Sequence, residues 1–165
     1  VSMKPFEDRT VEHALLGSAE LVLVANAPLA QSIMEQRGLG QALAETPCVS
    51  YDLDQSLIAQ WLEYNDEELN SPRNVLTMPD LRCLRSIVRQ GIGWSVLPQY
   101  LASEGLMTGE LFAIPGPAGN PSMDYFLHWM RGALRSPRNV RAKQILLDRL
   151  TDQEVDDETA QFEDE

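Results

Sequence analysis

Cysteine, histidine and long apolar runs are all scarce in this 165-residue chain. Two cysteines, Cys48 and Cys83, are too few for a disulfide framework and do not form a Cys-x-x-Cys pair, so a reducing cytoplasm is the expected setting. Cys48 opens an expected strand and Cys83 lies in an expected helix, so both are read as small buried hydrophobes. The two histidines, His13 and His128, fall in no HxxxH or HExxH spacing. A zinc site therefore has no support, and each is expected to be structural. The longest apolar run, Leu21 to Ala25, is strand-sized and far too short for a bilayer. The N-terminus lacks the basic-then-apolar order of a signal peptide, so no membrane partner is expected.

Positive charge is also short. The formal net charge is −12, but residues 151–165 carry eight acidic side chains and no basic one. The remaining body is only mildly acidic and offers no basic stripe of the kind that phosphate backbones need. This chain alone is not expected to bind nucleic acid. The acidic segment is nearly free of large apolar residues, so 151–165 is expected to be a disordered tail. It could fold onto the basic side chains from Arg131 to Arg149, but two solvated surfaces are the simpler expectation.

Catalytic signatures are missing as well. There is no Walker motif and no GxSxG. Gly91-Ile92-Gly93 follows a helix and precedes a strand, the reverse of the phosphate-binding order. Asp52 and Asp54 look like a carboxylate pair, but their place between a strand and a helix makes them turn and capping residues. No nucleophile, metal or phosphate loop supports an enzyme, and no cofactor is expected.

What is present is an ordinary globular composition, 44% hydrophobic and 23% charged, enough for one domain or two small lobes. The stretch Met78 to Leu101 organises the rest. Pro79 breaks what precedes it, and Asp80 is an N-cap for a helix whose apolar stripe is Leu81, Leu84 and Val88, with Ile87 beside it. Gly91 stands where a helix end needs positive φ. Ile92 to Leu97 is short, apolar and stopped by Pro98, which suits a strand buried on both faces. A helix feeding such a strand is half of a parallel βαβ unit, so the fold class is α/β.

Other elements follow in order. Thr10 to Leu16 alternates loosely, Gly17 and Ser18 are read as a turn, and Glu20 to Ala25 is a buried strand. Helical spacing covers Leu29 to Arg37 and Leu57 to Leu62. Cys48 to Tyr51, Asn74 to Met78, Leu111 to Ile114 and Met123 to Met130 read as strands, and Gly105 to Gly109 as a turn. A last helix opens at Ser136-Pro137. Trp61 belongs to a core or an interface, and Trp94 to a core or a cleft wall. Tyr51-Asp52 and Met78-Pro79-Asp80 end neighbouring strands and lead into helix N-termini, where free N–H groups favour an anionic ligand.

Four motifs in order, ELVLVANAPLA, TPCVSYDLDQSLIAQWL, SIVRQGIGWSVLPQYLA and MDYFLHWMRGALRSPRNVRAKQILLDRL, together resemble the effector-binding domain of LysR-type transcriptional regulators. The Gly-x-Gly-x-x-x-Leu-Pro element is the most specific piece. The resemblance covers about residues 1–150. It implies a two-lobed α/β fold like periplasmic binding proteins (type 2), with one lobe complete and the other partial. Residues 27–93 would form the second lobe, and 1–26 and 101–150 the crossing strands and partial first lobe. It implies a cytoplasmic sensor that binds a small, anionic effector in an interlobe cleft through Tyr51, Asp52, Thr77, Met78 and Asp80, with no catalytic or metal-ligating residues. DNA would be reached only through a winged helix-turn-helix that this chain lacks, so a fragment or truncated regulator is expected. A solute-binding protein of similar fold is the alternative. A partial lobe exposes strand edges and so implies a homo-oligomer. Light scattering at micromolar concentration is expected to show a species larger than one chain, and a clean monomer would refute this.

Overall fold

The structure is a computed structural model that describes residue 2 and residues 8–67 and 73–159. The elements are β1 (Val11–Ala25), α1 (Ala27–Met34), α2 (Leu39–Glu45), β2 (Cys48–Ser50), α3 (Ser56–Tyr64), β3 (Asn74–Thr77), α4 (Leu81–Arg89), β4 (Ser95–Pro98), α5 (Gln99–Thr108), β5 (Phe112–Ala113), β6 (Ser122–Met130) and α6 (Pro137–Thr159). They form two compact units: Ala19–Ser122, and Val1–Ser18 together with Met123–Glu165. The first of these is larger than the expected 27–93 lobe. It also holds β4, α5 and β5, because the last residues of β1 pair with both strands.

That pairing is the centre of the larger unit. Leu21, Val22, Leu23 and Val24 lie antiparallel to Pro98, Leu97, Val96 and Ser95 of β4. On the opposite edge, Val24 and Ala25 pair with Ala113 and Phe112 of β5. All five residues of the run are buried, as a strand covered on both faces requires. Val22 and Val24 share a core with Val49, Leu84, Val88, Leu97, Ala102 and Leu111. Leu84 and Val88 are fully buried on α4, and Leu81 and Ile87 pack beside them, so the apolar stripe read from the sequence is the packed face.

The expected parallel unit is present in a modified form. β2 and β3 run parallel, and Cys48 forms a further parallel bridge to Trp94. Val49 N donates to Trp94 O at 2.9 Å, and Trp94 N to Pro47 O at 3.0 Å. Beyond Trp94 the chain leaves β2 and pairs antiparallel with β1 instead. Trp94 is fully buried, and its indole N–H lies 3.2 Å from both Leu43 O and Thr46 O, so it belongs to the core. Trp61 is also fully buried.

Two glycines in this stretch are needed for backbone reasons. Gly91 has φ +77°, as a residue ending a helix in left-handed conformation does. Gly93 passes so close to β2 that an added Cβ would lie 2.6 Å from Pro47 O. Asn65, buried at the end of α3, holds the 115–121 loop. Its Nδ2 donates to Trp61 O at 2.9 Å and Gly119 O at 3.0 Å, and its Oδ1 accepts from Ala118 N at 2.9 Å.

Several sequence expectations are corrected. Gly17 and Ser18 do not turn the chain, because β1 runs unbroken from Val11 to Ala25. The turn expected at Gly105–Gly109 is confined to Gly109, which ends α5 in a left-handed conformation, whereas Gly105 is buried inside the helix. Cys83 is exposed rather than buried, because it lies off the α4 stripe. The acidic segment expected to be disordered continues α6 as far as Thr159. No proline or glycine interrupts it, and extending an existing helix is far easier than nucleating one. Residues 160–165 of that expected tail lie outside the described residues.

In the other unit, β6 pairs with β1, with Arg131 N donating to Thr10 O at 2.7 Å. Trp129 anchors both neighbours. Its indole donates to Glu12 Oε2 at 2.7 Å, and Lys143 Nζ of α6 sits 4.0 Å from the ring centre. Among the described residues of this unit, Leu16 and Met123 are the buried hydrophobes, while Leu15, Met130, Val140, Ile145 and Leu146 are exposed.

Gly93→Ala is expected to cost about 1–3 kcal/mol through the clash with Pro47. Asn65→Ala is expected to cost about 1–3 kcal/mol by stranding Ala118 N and Gly119 O. Urea denaturation checks both, and a loss under about 0.5 kcal/mol would show the position is not so constrained.

Candidate functional site

All five residues singled out in the sequence sit in the larger unit, at the carboxyl ends of β2 and β3. The parallel register sets Ser50 opposite Thr77, and Met78 N donates to Ser50 O at 2.9 Å. Tyr51 and Met78 therefore leave the two strands side by side, both half-buried against the core. Thr77 is half-buried and its Oγ1 lies 3.1 Å from Ser50 Oγ. Asn74 Nδ2 donates to Ser50 Oγ at 2.9 Å and to Thr77 Oγ1 at 3.1 Å. Ser50 and Asn74 complete a small polar cluster that the sequence reading missed. The available signal was a polar residue at each strand end in a register that only pairing reveals.

The two carboxylates are capping groups, as the strand-to-helix spacing implies. Asp52 accepts from Ser56 N at 2.8 Å and from the Ser56 hydroxyl, which fastens the first turn of α3. Between them Gln55 takes a left-handed conformation with φ +54°, unusual for a side-chain-bearing residue and costing on the order of 1 kcal/mol. Asp80 Oδ1 accepts from Arg82 N at 2.9 Å and Cys83 N at 3.0 Å at the start of α4. Those two bonds, that from Cys83 first, hold the Asp80 carboxyl below its ordinary value of 3.8. Asp54 is exposed.

This arrangement bears on one expectation. Backbone N–H groups at the starts of α3 and α4 were expected to be free for an anion. Asp52 and Asp80 already engage N–H groups there and supply the negative charge themselves. The edge presents carboxylate and hydroxyl oxygens, one amide, a phenol and a thioether. It can position a polar molecule by hydrogen bonds and contact. Cys48, buried beneath it, has its thiol pushed up to about 11 by desolvation, which keeps it protonated and unreactive at neutral pH. An open depression of about 560 Å³ lies elsewhere, in the smaller unit, lined by Leu134, Arg135, Pro137, Val140, Arg141 and Gln144.

Comparison with known proteins defines the class. The profile of the LysR substrate binding domain matches residues 1–151, and the chain belongs to that family. The family is one of transcriptional regulators and not of enzymes, and the solute-binding alternative gives way to it. The HTH-type transcriptional regulator AbaB of Streptomyces antibioticus is 36% identical over 69 residues, which are 42% of this chain and 23% of that protein. The C-terminal domains of a LysR family protein from Agrobacterium tumefaciens superpose with a TM-score of 0.74 at 19% identity, covering 87% of this chain and 67% of that one. ArgP from Mycobacterium tuberculosis gives a TM-score of 0.73 at 18% identity, covering 90% of this chain and 49% of that one. Full-length LysG from Corynebacterium glutamicum with bound effector Arg gives 0.68 at 18% identity, with the same two coverages, 90% and 49%. These likenesses establish the periplasmic-binding-protein-like fold. The chain spans 49% of the length of LysG and of ArgP and 23% of AbaB. No helix among the described residues is long and apolar enough to cross a membrane.

Asp80→Ala is expected to lower the melting temperature at neutral pH by removing the α4 cap. Because the folded carboxyl titrates below its ordinary value, this stabilisation is complete above pH 3.8 and is lost as pH falls through the folded value. The gap between variant and parent should therefore close in acid, and a gap that is constant with pH would refute the cap's ionic character.

Proposed function

We propose that this chain is the ligand-sensing part of a LysR-type transcriptional regulator and binds a small effector at the ends of β2 and β3. Tyr51, Asp52, Thr77, Met78 and Asp80 are the contacting residues, with Ser50 and Asn74 orienting Thr77. The observation that carries this is the Ser50–Asn74–Thr77 cluster, in which Ser50 and Thr77 end two parallel strands, where α/β sheets bind ligands, and the Asn74 amide reaches them from the start of β3. The effector would lie in a cleft between two lobes, as the family resemblance implies. DNA would be reached through a winged helix-turn-helix outside this chain.

The effector's charge is read from the carboxylates. Helix N-termini were the reason to expect an anion, and Asp52 and Asp80 bring negative charge of their own to both. An effector bearing hydrogen-bond donors, such as an amine, fits the acceptors better. The related LysG crystallised with arginine is compatible with such a ligand. Self-association is part of the same proposal, supported by the few buried hydrophobes among the described residues of the smaller unit.

Thermal-shift screening of matched small organic acids, amines and neutral sugars tests the reading. Amines or amino acids are expected to raise the melting temperature. Thr77→Val, which keeps the shape and removes the hydroxyl, is expected to weaken the response about tenfold, roughly one bond's worth of 1.4 kcal/mol. A ligand whose binding is indifferent to Thr77→Val and Asp52→Asn would place the site elsewhere.

A further inference from the structure

Helix α6 is divided by charge. From Pro137 to Asp148 it carries Arg138, Arg141 and Lys143 against the single acid Asp148. From Thr151 to Thr159 it carries five acids and no base. Immediately before it, Arg135 ends a short 3-10 helix, Ala133–Arg135. The open depression of about 560 Å³ lies between that turn and the first half of α6. Arg135 and Arg141 supply its charge, Gln144 an amide, and Leu134, Pro137 and Val140 an apolar lining. Pro137, Val140, Arg141 and Gln144 recur at helical spacing, so one side of α6 forms the wall. Arg135, Arg138 and Arg141 are exposed, and no carboxylate among the described residues pairs with any of them. Val140 is exposed as well.

The five acids as far as Thr159 cannot reach this surface within their own chain. α6 is continuous, and a rise of about 1.5 Å per residue carries Thr151 about 15 Å past Arg141 and Thr159 about 27 Å past it. A second copy meets no such limit. Two α6 helices laid antiparallel set a basic half against an acidic half at both ends, whereas a parallel pair sets like charges together. The contact is then self-complementary, as a two-fold dimer requires. We propose that the basic half of α6, with its depression, is the docking surface for the acidic segment 151–165 of a second copy of this chain, paired antiparallel. This inference rests on the self-association proposed above and gives it a defined interface. It does not depend on the effector, whose candidate residues belong to the other unit.

Sedimentation equilibrium of the full chain tests the pairing. At about 0.05 M NaCl a dimer is expected at micromolar concentration, and it should weaken markedly at about 0.5 M, where the Debye length falls to about 4 Å. Arg135→Glu combined with Arg141→Glu, both at exposed positions, should weaken the dimer at least about tenfold. A second variant, with Asp152→Lys, Glu154→Lys, Asp156→Lys and Asp157→Lys, should do the same. Mixing the two variants restores opposite charge at both ends, so a heterodimer of near-parental affinity is expected where neither variant pairs with itself. Circular dichroism reports whether each variant is folded. If the lysine variant is not, the arginine variant and the salt response decide the matter. A parent chain that is monomeric at low salt overturns this interface and the proposed self-association together. A dimer indifferent to salt and to the arginine reversal leaves self-association standing and overturns this interface alone. Two folded variants that fail to pair when mixed overturn it as well.

Discussion

Five consecutive residues, Leu21 to Ala25, constrain everything in the larger unit. Buried on both faces, the run must satisfy its backbone groups by pairing, since no water reaches them. β4 takes one edge and β5 the other, and Ile114 N closes the ladder on Leu23 O at 2.9 Å. The side chains of the same run meet α4 and β2 in one core. Each buried Val or Leu there contributes about 1.5–3 kcal/mol. Register is fixed as well. A slip by one residue would leave the run buried but move β4 and β5 away from their helices.

The candidate site depends on that core without sharing its chemistry. β2 and β3 are short, and they are held from below by Val49 and the Trp94 bridge. Their ends therefore present Tyr51, Thr77 and Met78 on a firm base, while Asp52 and Asp80 cap the helices that follow. The carboxylates have a double character. They hold the helix starts in place, and they make the surface an acceptor of hydrogen bonds. As a candidate site, such an edge would select a ligand by polarity and shape.

The two units contrast in how they are stabilised. The larger has a continuous buried core, whereas the described residues of the smaller are joined by strand pairing, the Trp129–Glu12 bond and the Lys143 contact with the Trp129 ring. Surface pairs such as Arg85 with Glu104, 3.0 Å apart, add little by comparison, about 0–1 kcal/mol each.

Much of this was legible in the sequence because it depends on local physics. The stripe Leu81, Leu84 and Val88, the Asp80 cap, the positive φ of Gly91 and the buried run of β1 follow from periodicity, capping chemistry and apolar content. The motif order indicated the family. What the sequence could not decide was pairing. Gly17 and Gly105 carry the same local signal as turn glycines, yet neighbouring strands and buried surface hold them in a strand and a helix. The switch of the chain after Trp94 from a parallel to an antiparallel neighbour is invisible until β1 is in place. The same holds for Ser50 beside Thr77 and for His13 beside His128, whose proximity comes from strand register across long separations, a property of the folded chain and of no local segment.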